Sequence, residues 1–174
     1  MLLKNNIEIL IRKAEKSDAK EILDYLKIVG GESDNLLFSA EGLDISIEQE
    51  EKIIENINST KLSAIFVGII DNKIVCVGGI NTPTKKRISH HGEIALSVLK
   101  EFWGIGVATA LISEIINFAK QTKEIKLLHL GVKRDNLSGI NLYKKMGFTE
   151  FGIHPKFFNI NGVYFDKILM SLEI

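Results

Sequence analysis

The sequence predicts a mixed α+β fold in which helices cover both faces of one central sheet. Seven segments have the composition or apolar spacing of strands, and four have that of helices. They follow one another in the order β-α-α-β-β-β-α-β-α-β-β, and such local mixing is typical of a sheet with helices packed on it. The length of 174 residues suits one domain with a sizeable core, which we expect to span residues 1–174.

Composition and charge exclude several classes of protein. Hydrophobic residues make up 45% and charged residues 25% of the chain, as in ordinary folded proteins. The 22 basic and 22 acidic side chains balance, which argues against a nucleic-acid partner. No apolar run approaches the ~20 residues of a membrane span, and the N-terminus does not resemble a signal peptide. Cys76 is the one cysteine, so disulfides and multi-cysteine zinc sites are excluded, and we expect a cytoplasmic protein without metal.

The first part of the chain is predicted to form a strand and two helices. The strand covers Ile7–Arg12, and Ser17-Asp18 begins a helix that Gly30-Gly31 ends. The segment from Glu32 to Asp44 is expected to be irregular. Ser46 and Gln49 match a capping box, which predicts a second helix from Ile47 to Asn58.

A hairpin and a loop follow. Leu62–Ile70 and Ile74–Ile80 are β-rich, and the turn-forming residues Asp71-Asn72-Lys73 join them. The next segment, Asn81 to Arg87, contains Pro83 and is predicted to be a loop.

The stretch from Gly92 to Lys120 reads as a strand, a glycine-bearing turn and a helix. The strand is Glu93–Leu99 and the turn is Trp103–Ala108; beyond it, apolar residues recur at helical spacing. A turn of this kind leaves backbone N–H groups unpaired at the positive end of the helix dipole. We therefore expect a phosphate-bearing ligand at residues 103–109.

The C-terminal part is predicted to add a strand, a helix and a hairpin. Lys126–Val132 is the strand, and the helix Asn136–Met146 ends at Gly147. The hairpin turns at Asn161-Gly162, with strands that begin at Phe148–Gly152 and end with Tyr164–Leu172.

Two segments together resemble the GNAT superfamily of acyl-CoA-dependent N-acetyltransferases. Trp103-Gly104-Ile105-Gly106-Val107-Ala108 is similar to its pyrophosphate loop, with Trp103 where Gln or Arg is usual. Trp-Gly-x-Gly-x-Ala is familiar in the branch with ribosomal-protein N-terminal and polyamine acetyltransferases. Asn136 to Phe148 resembles the superfamily's Asn-x-x-Ser/Ala…Leu-Tyr-x-Lys-x-Gly-Phe block. The C-terminal hairpin also resembles that branch, so the likeness covers nearly the whole chain.

The resemblance implies a fold, a cofactor and the residues that bind it. The fold is a mostly antiparallel sheet of six to seven strands, splayed in the middle, and the cofactor is acetyl-CoA. Its diphosphate would lie on the loop, and its pantetheine arm would pair with the edge of the central strand. The implied binding residues are Leu96, Ser97, Val98, Trp103, Gly104, Ile105, Gly106, Val107, Ala108, Thr109, Asn136 and Tyr143. Dimers are common in the family, so the resemblance leaves a homodimer open.

Catalytic roles are also implied. In the family the tyrosine faces the thioester sulfur and the asparagine contacts the CoA arm, so Tyr143 is expected to be the general acid. The alternative is that Tyr143 is a packed aromatic residue and Asn136 a helix N-cap. A backbone N–H near Val98 would hold the developing oxyanion. Glu93 is the candidate base; the alternative is a surface carboxylate.

Other titratable residues are weaker candidates. His90, His91 and His129 are alternative bases, but neighbouring histidines in a strand point to opposite sides, so no metal site is expected. Cys76 is expected to be a small buried residue. The cluster Lys85-Lys86-Arg87 is either a solvated loop tip or a contact for the CoA 3′-phosphate or an acidic substrate.

We therefore expect an N-acetyltransferase whose acceptor amine attacks the thioester directly; a non-catalytic acyl-CoA-binding module is the alternative. The acceptor should contact the Glu32–Asp44 segment, the second helix and the Phe157–Tyr164 hairpin. Asp34, Glu41 and Asp44 would suit a cationic amine. A protein N-terminus, a polyamine-like small molecule and an amino-sugar remain open as acceptors.

Overall fold

A computed structural model describes residues 2–174, without the side chain of Asn5, and within that range seven strands form one sheet. The strands are β1 Leu10–Lys13, β2 Ala64–Ile70, β3 Lys73–Asn81, β4 His91–Val98, β5 Leu127–Lys133, β6 Thr149–Ile160 and β7 Val163–Glu173. The α-helices are α1 Ala19–Glu32, α2 Ile47–Ser59, α3 Val107–Thr122 and α4 Leu137–Lys145. The predicted element order is confirmed.

The sheet has the order β1-β2-β3-β4-β5-β7-β6, and neighbouring strands are antiparallel except β4 and β5. Those two parallel strands pair only from His91 opposite Leu127 to Glu93 opposite His129. Beyond that point β4 continues to Val98 and β5 to Lys133 without pairing. The predicted splay in the middle of the sheet is therefore present.

Two apolar clusters lie on opposite faces of the sheet. Side chains that alternate along β2 enter different clusters: Phe66 packs with α3, and Val67 packs with α1 and α2. The α3 cluster also receives Ile140 from α4. Strand alternation thus gives the sheet two buried faces, and helices on both faces are confirmed.

Local sequence signals predict the turns and one helix start correctly. Asp71 and Asn72 have φ of 48° and 61°, and Asn161 and Gly162 have φ of 51° and 85°. Positive φ at both central residues is the type I′ geometry of two-residue hairpins. The capping box before α2 is also formed, since the Ser46 N–H donates to Gln49 Oε1 at 2.7 Å and the Gln49 N–H donates to Ser46 Oγ.

Two predicted boundaries are wrong. Helix α1 continues through Gly30 and Gly31 to Glu32, because Gly30 serves close packing: a Cβ there would overlap the Ser39 carbonyl. Strand β1 begins at Leu10, since the Ile7 carbonyl accepts a bond from Leu3 N–H at 2.8 Å in a local turn.

Strand β6 starts in the predicted segment and runs to Ile160, directly before the predicted turn, with two register shifts. The second shift accommodates Pro155, which an edge strand tolerates because it has one unpaired side.

Among residues 2–174, no helix is both long and apolar enough to cross a membrane. In the same described range, no three His, Cys, Asp or Glu side chains come together in a way that would ligate a metal.

Candidate active site

A cleft of about 720 Å³ opens where β4 and β5 separate. Every predicted site residue except Ile105 lies on its wall. These residues are Glu93, Leu96, Ser97, Val98, Trp103, Gly104, Gly106, Val107, Ala108, Thr109, Asn136 and Tyr143. Two segments that are far apart in the sequence therefore meet at one cavity.

The glycine turn has the geometry of an anion site. Gly104 and Gly106 have φ of 77° and 105°, a region that favours glycine, and Gly106 directly precedes α3. No side chain caps the helix, and none of the described residues accepts a bond from the N–H groups of residues 104–106. The first N–H groups of α3 also lack intrahelical partners, so this end of the cleft attracts negative charge. Ile105 belongs to the turn, but its side chain packs on the core and its carbonyl accepts a bond from Lys4 N–H at 3.1 Å.

Trp103 has a bonding role that the sequence did not reveal. Its indole Nε1 donates a hydrogen bond of 2.8 Å to the Val98 carbonyl, and its ring is 46% exposed. The side chain therefore ties the turn to the end of β4.

The edge of β4 that faces the gap offers unpaired backbone groups. Leu99 N–H donates to the Val75 carbonyl on the β3 side at 3.0 Å. Because N–H direction alternates along a strand, the N–H groups of Leu96 and Val98 point the other way, into the cleft. The Val98 carbonyl is occupied by Trp103, whereas its N–H has no strand opposite it.

A buried tyrosine supports the centre of β4. Tyr25 on α1 is 3% exposed, and its hydroxyl donates to Ser97 Oγ at 2.9 Å. Burial raises the pKa of Tyr25, so the phenol stays protonated and keeps donating. Tyr25 lies three residues after Ile22 on the apolar side of the predicted helix, and this spacing was the available signal that it is buried.

Tyr143 lies on the cleft wall formed by α4. Its ring packs edge-on against Phe148, with centroids 5.9 Å apart. Burial raises the pKa of Tyr143 to about 12, so the hydroxyl remains protonated at neutral pH. None of the described side chains or carbonyls bonds to that hydroxyl, which leaves it available to a ligand.

Asn136 is the N-cap of α4, as one of the two sequence interpretations predicted. Its Oδ1 accepts bonds from Gly139 N–H and Ser138 Oγ, both at 3.0 Å. Its side chain also lines the cleft, so capping does not withdraw it from a bound ligand.

Glu93 and His129 face each other across the last paired position of β4 and β5. Glu93 is exposed on the cleft wall, and His129 is half-buried and does not line it. Burial lowers the pKa of His129, against the raising effect of Glu93, and the charges of His91 and Lys167 lower it further. The rings of His90 and His91 meet edge to face, with centroids 4.3 Å apart, outside the cleft. Of the four candidate bases, the cleft thus contains only Glu93.

Two other candidates lie away from the cleft. The cluster Lys85-Lys86-Arg87 is in the loop before β4, at the opposite end of that strand from the glycine turn, roughly 25 Å away for eight residues. That placement does not support a contact with the phosphates. Cys76 is fully buried, and burial raises its thiol pKa to about 12, as expected for an inert core residue.

Of the three segments expected to contact the acceptor, two line the cleft. Segment 33–43 contributes Leu36, Leu37 and Phe38 to the cleft, and the hairpin contributes Phe158. Helix α2 packs on α1 and β2 and does not line the cleft, so that expectation is wrong.

The predicted acidic residues lie outside the cleft. Asp34 and Glu41 line a neighbouring depression of about 640 Å³ near the hairpin tip, and Asp44 lines neither cavity. The cleft instead carries three lysines that sequence reasoning missed, Lys4, Lys145 and Lys167.

Comparison with known proteins agrees with this geometry. The model of the acetyltransferase (GNAT) family matches residues 35–148. The L-amino acid N-acetyltransferase AaaT of Escherichia coli is 31% identical over 106 residues, which are 61% of this chain and 65% of AaaT. The match thus spans a little under two thirds of AaaT. Bacillus subtilis YdaF, provisionally named a ribosomal N-acetyltransferase, is 25% identical over 97% of this chain and 93% of its own.

Solved structures share the fold. A GNAT-family acetyltransferase from Streptococcus pneumoniae superposes with a TM-score of 0.93 at 28% identity, over 96% of this chain and all of that one. The protein yncA from Salmonella typhimurium, solved with its cofactor acetyl-CoA, gives a TM-score of 0.82 at 17% identity, over 95% of this chain and 93% of that one. The family model covers more than half of the chain, and the seven-stranded, mostly antiparallel sheet with its helices matches the solved structures. The chain belongs to the GNAT acetyltransferase family.

Proposed function

We propose that the protein is an acetyl-CoA-dependent N-acetyltransferase in which an acceptor amine attacks the thioester directly. The observation that carries the proposal is the unpaired edge of β4, which lies between an anion-binding turn at one end and the free hydroxyl of Tyr143 on the facing wall. Family membership and the acetyl-CoA in the yncA structure support it. Bound acetyl-CoA would supply the activated acyl carbonyl and a thiolate leaving group.

One end of the cleft would bind the phosphate-bearing end of that molecule. Backbone N–H groups of residues 104–109 would hold the diphosphate, and Lys4, which bonds to the turn, adds positive charge. The hydrogen bond from Trp103 to the Val98 carbonyl would hold this turn against the end of β4. The Leu96 N–H and carbonyl would pair with the amides of the arm, as a strand edge does, and Asn136 would contact the arm from α4.

Two groups would act on the reacting bond. The Val98 N–H points into the gap and would donate to the carbonyl oxygen as it gains negative charge. Tyr143 would donate from the opposite wall to the leaving sulfur, as the general acid. Its raised pKa keeps the donor proton in place throughout the physiological range.

Glu93 would accept the proton that the acceptor amine must lose, directly or through water. An amine with a reference pKa of about 10 is mostly protonated at neutral pH, so a base must be present. Glu93 supports this role because it is the one candidate base on the cleft wall within the described chain. The acceptor would be a small-molecule amine or a protein N-terminus, the kinds of substrate that the names of AaaT and YdaF suggest, and the reaction would take place in the cytoplasm.

The test is an acceptor screen that measures thiol release from acetyl-CoA with the purified protein. Tyr143→Phe should lower kcat by about 100-fold or more with the best acceptor, and its acetyl-CoA Kd should stay unchanged. Tyr164→Phe is the matched control, because Tyr164 is 58% exposed at the hairpin tip and does not line the cleft. Glu93→Gln should change the pH–rate profile, because the acceptor would lose its proton acceptor on the cleft wall.

The non-catalytic alternative makes the opposite prediction. A protein that binds acetyl-CoA tightly but releases no thiol with any amine would be an acyl-CoA-binding module. Equal kcat for Tyr143→Phe and Tyr164→Phe would show that Tyr143 is not the general acid. An unchanged pH–rate profile for Glu93→Gln would show that Glu93 is not the base.

A further inference from the structure

One face of the splayed region collects the side chains that an acceptor would meet. Ser97 is bonded to Tyr25 of α1, so Glu93, Ala95 and Ser97, which alternate along β4, point toward the α1 face. Glu93 pairs with His129 of β5, and Lys133 of β5 pairs with Lys167 of β7. Paired residues point to the same face of a sheet, so His129, Lys133 and Lys167 also point toward the α1 face. Helix α3 packs on the opposite face. An acceptor would therefore enter from the side that carries Glu93 and Lys167.

The side chain of Lys167 lies in a groove on this face, between Gly131 and Phe157. Its aliphatic stem passes over Gly131 so closely that a Cβ at that position would overlap its Cδ and Cε. Its Nζ is 3.8 Å from the ring centroid of Phe157, a cation–π distance. The lysine is half-buried, so its position is determined by packing on both sides.

Lys167 has no anionic partner among the described residues. Its neighbours in the sheet are already paired: Lys133 with Asp135 at 2.7 Å and Arg134 with Asp166 at 2.8 Å. Glu93 is the one acidic side chain of the cleft within the described chain. The acceptor face thus presents one base and one unpaired cation, beside the apolar side chains Leu36, Leu37, Phe38 and Phe158.

We propose that Lys167 binds a carboxylate of the acceptor, so that the substrate is an amino acid with an apolar side chain. The amino group would lie near the Val98 edge and reach Glu93, roughly 16 Å away along β4, through water. The carboxylate would lie at Lys167, and the side chain against the apolar segment 36–38. At a protein N-terminus the α-carboxylate is replaced by a peptide bond, so an N-terminal residue without an acidic side chain would leave Lys167 without a partner. This proposal rests on the acetyltransferase function proposed above and names its substrate class.

The test compares acceptors that differ only in the carboxylate. L-phenylalanine and phenethylamine form one pair, and L-leucine and isoamylamine form another. With saturating acetyl-CoA, the wild-type protein should favour the amino acid by about tenfold or more in kcat/KM. Lys167→Met should raise KM for the amino acid about 10- to 100-fold and change KM for the plain amine less than twofold. Lys167→Arg should restore part of the preference for the amino acid.

Two further variants keep the result interpretable. Lys156→Met is the matched control, because Lys156 is an exposed lysine of the same hairpin that does not line the cleft. It should leave KM unchanged for both acceptors. Gly131→Ala keeps the charge but displaces the lysine stem, and it should raise KM for the amino acid in the same direction. It also serves if Lys167→Met does not fold.

The outcomes separate this proposal from the function on which it rests. Better turnover of the plain amines, or an equal loss with both members of a pair in Lys167→Met, overturns the role of Lys167 and leaves the acetyltransferase intact. A lack of turnover with every amine, despite bound acetyl-CoA, overturns both.

Discussion

The indole N–H of Trp103 donates to the carbonyl oxygen of Val98 at 2.8 Å. This bond joins the turn that is shaped for an anion to the strand whose next free group, the Val98 N–H, faces the cleft. In the proposed mechanism, Trp103 would therefore couple the grip on the diphosphate to the polarisation of the thioester carbonyl.

Replacement of Trp103 by phenylalanine removes this donor and keeps an aromatic ring. We expect the acetyl-CoA Kd to rise about three- to tenfold, the range for one lost hydrogen bond, because the turn is no longer tied to β4. Calorimetric titration measures the change. Phe151→Leu, an exposed substitution on β6, is the control, and equal affinities for the two variants would contradict the role of Trp103.

Gly106→Ala should weaken acetyl-CoA binding about tenfold or more. The φ of 105° is unfavourable for any residue with a Cβ, by roughly 1–2 kcal/mol, so the turn would change its conformation. Gly106→Glu should abolish binding, since a carboxylate would meet the diphosphate.

Gly162→Ala is the control for this effect of backbone strain. Gly162 also has a positive φ, at 85°, and open space around it, but it lies at the hairpin tip. The Gly162→Ala substitution should lower the melting temperature without altering the acetyl-CoA Kd. A Gly106→Ala protein with wild-type affinity would refute the assignment of the turn.

Gly30→Ala should disturb the acceptor side of the cleft. A Cβ at Gly30 would overlap the Ser39 carbonyl, which would push segment 33–43 away from α1 at a cost of about 1–3 kcal/mol. Acceptor KM should rise and the acetyl-CoA Kd should not, as steady-state kinetics and titration would measure. Gly31→Ala meets only Ala40, whose Cβ would be 3.2 Å away, and should be much milder; equal effects would show that the contact with Ser39 does not matter.

Asp18→Asn should destabilise the protein at neutral pH but not at low pH. Arg12 donates two hydrogen bonds to Asp18, at 2.6 and 2.9 Å, and these bonds, with one from the Glu15 N–H, hold the Asp18 pKa below its usual value against the effect of burial. A depressed folded-state pKa gives stability that is present above about pH 4 and lost as the pH falls through the folded-state value.

The expected loss at pH 7 is about 1–2 kcal/mol, because water partly screens Arg12, and the difference from wild type should shrink below pH 4. Urea unfolding at several pH values measures it. Asp24→Asn is the control, since Asp24 forms an exposed pair with Lys20 and should change little. A loss that is the same at pH 7 and pH 3 would show that the charge of Asp18 is not the cause.

Signals that depend on neighbours in the sequence predicted the structure well. The turns at Asp71-Asn72 and Asn161-Gly162 and the capping box of Ser46 and Gln49 all form as expected, because each involves residues at most three positions apart. Gly30 shows the limit of such signals. A glycine pair indicates either a helix end or a close contact, and only the position of Ser39 against α1 distinguishes the two.

The sequence by itself determined the order of elements and the glycine turn, because apolar spacing and turn chemistry are local and depend on residue type. The tertiary structure decided the charge of the acceptor side. Lys167 meets Gly131, 36 residues earlier, only because β7 pairs with β5, and Asp34 and Glu41 lie outside the cleft because segment 33–43 packs toward the hairpin tip. Strand register and loop packing are non-local, so the side chains around a substrate are known only once the sheet is assembled.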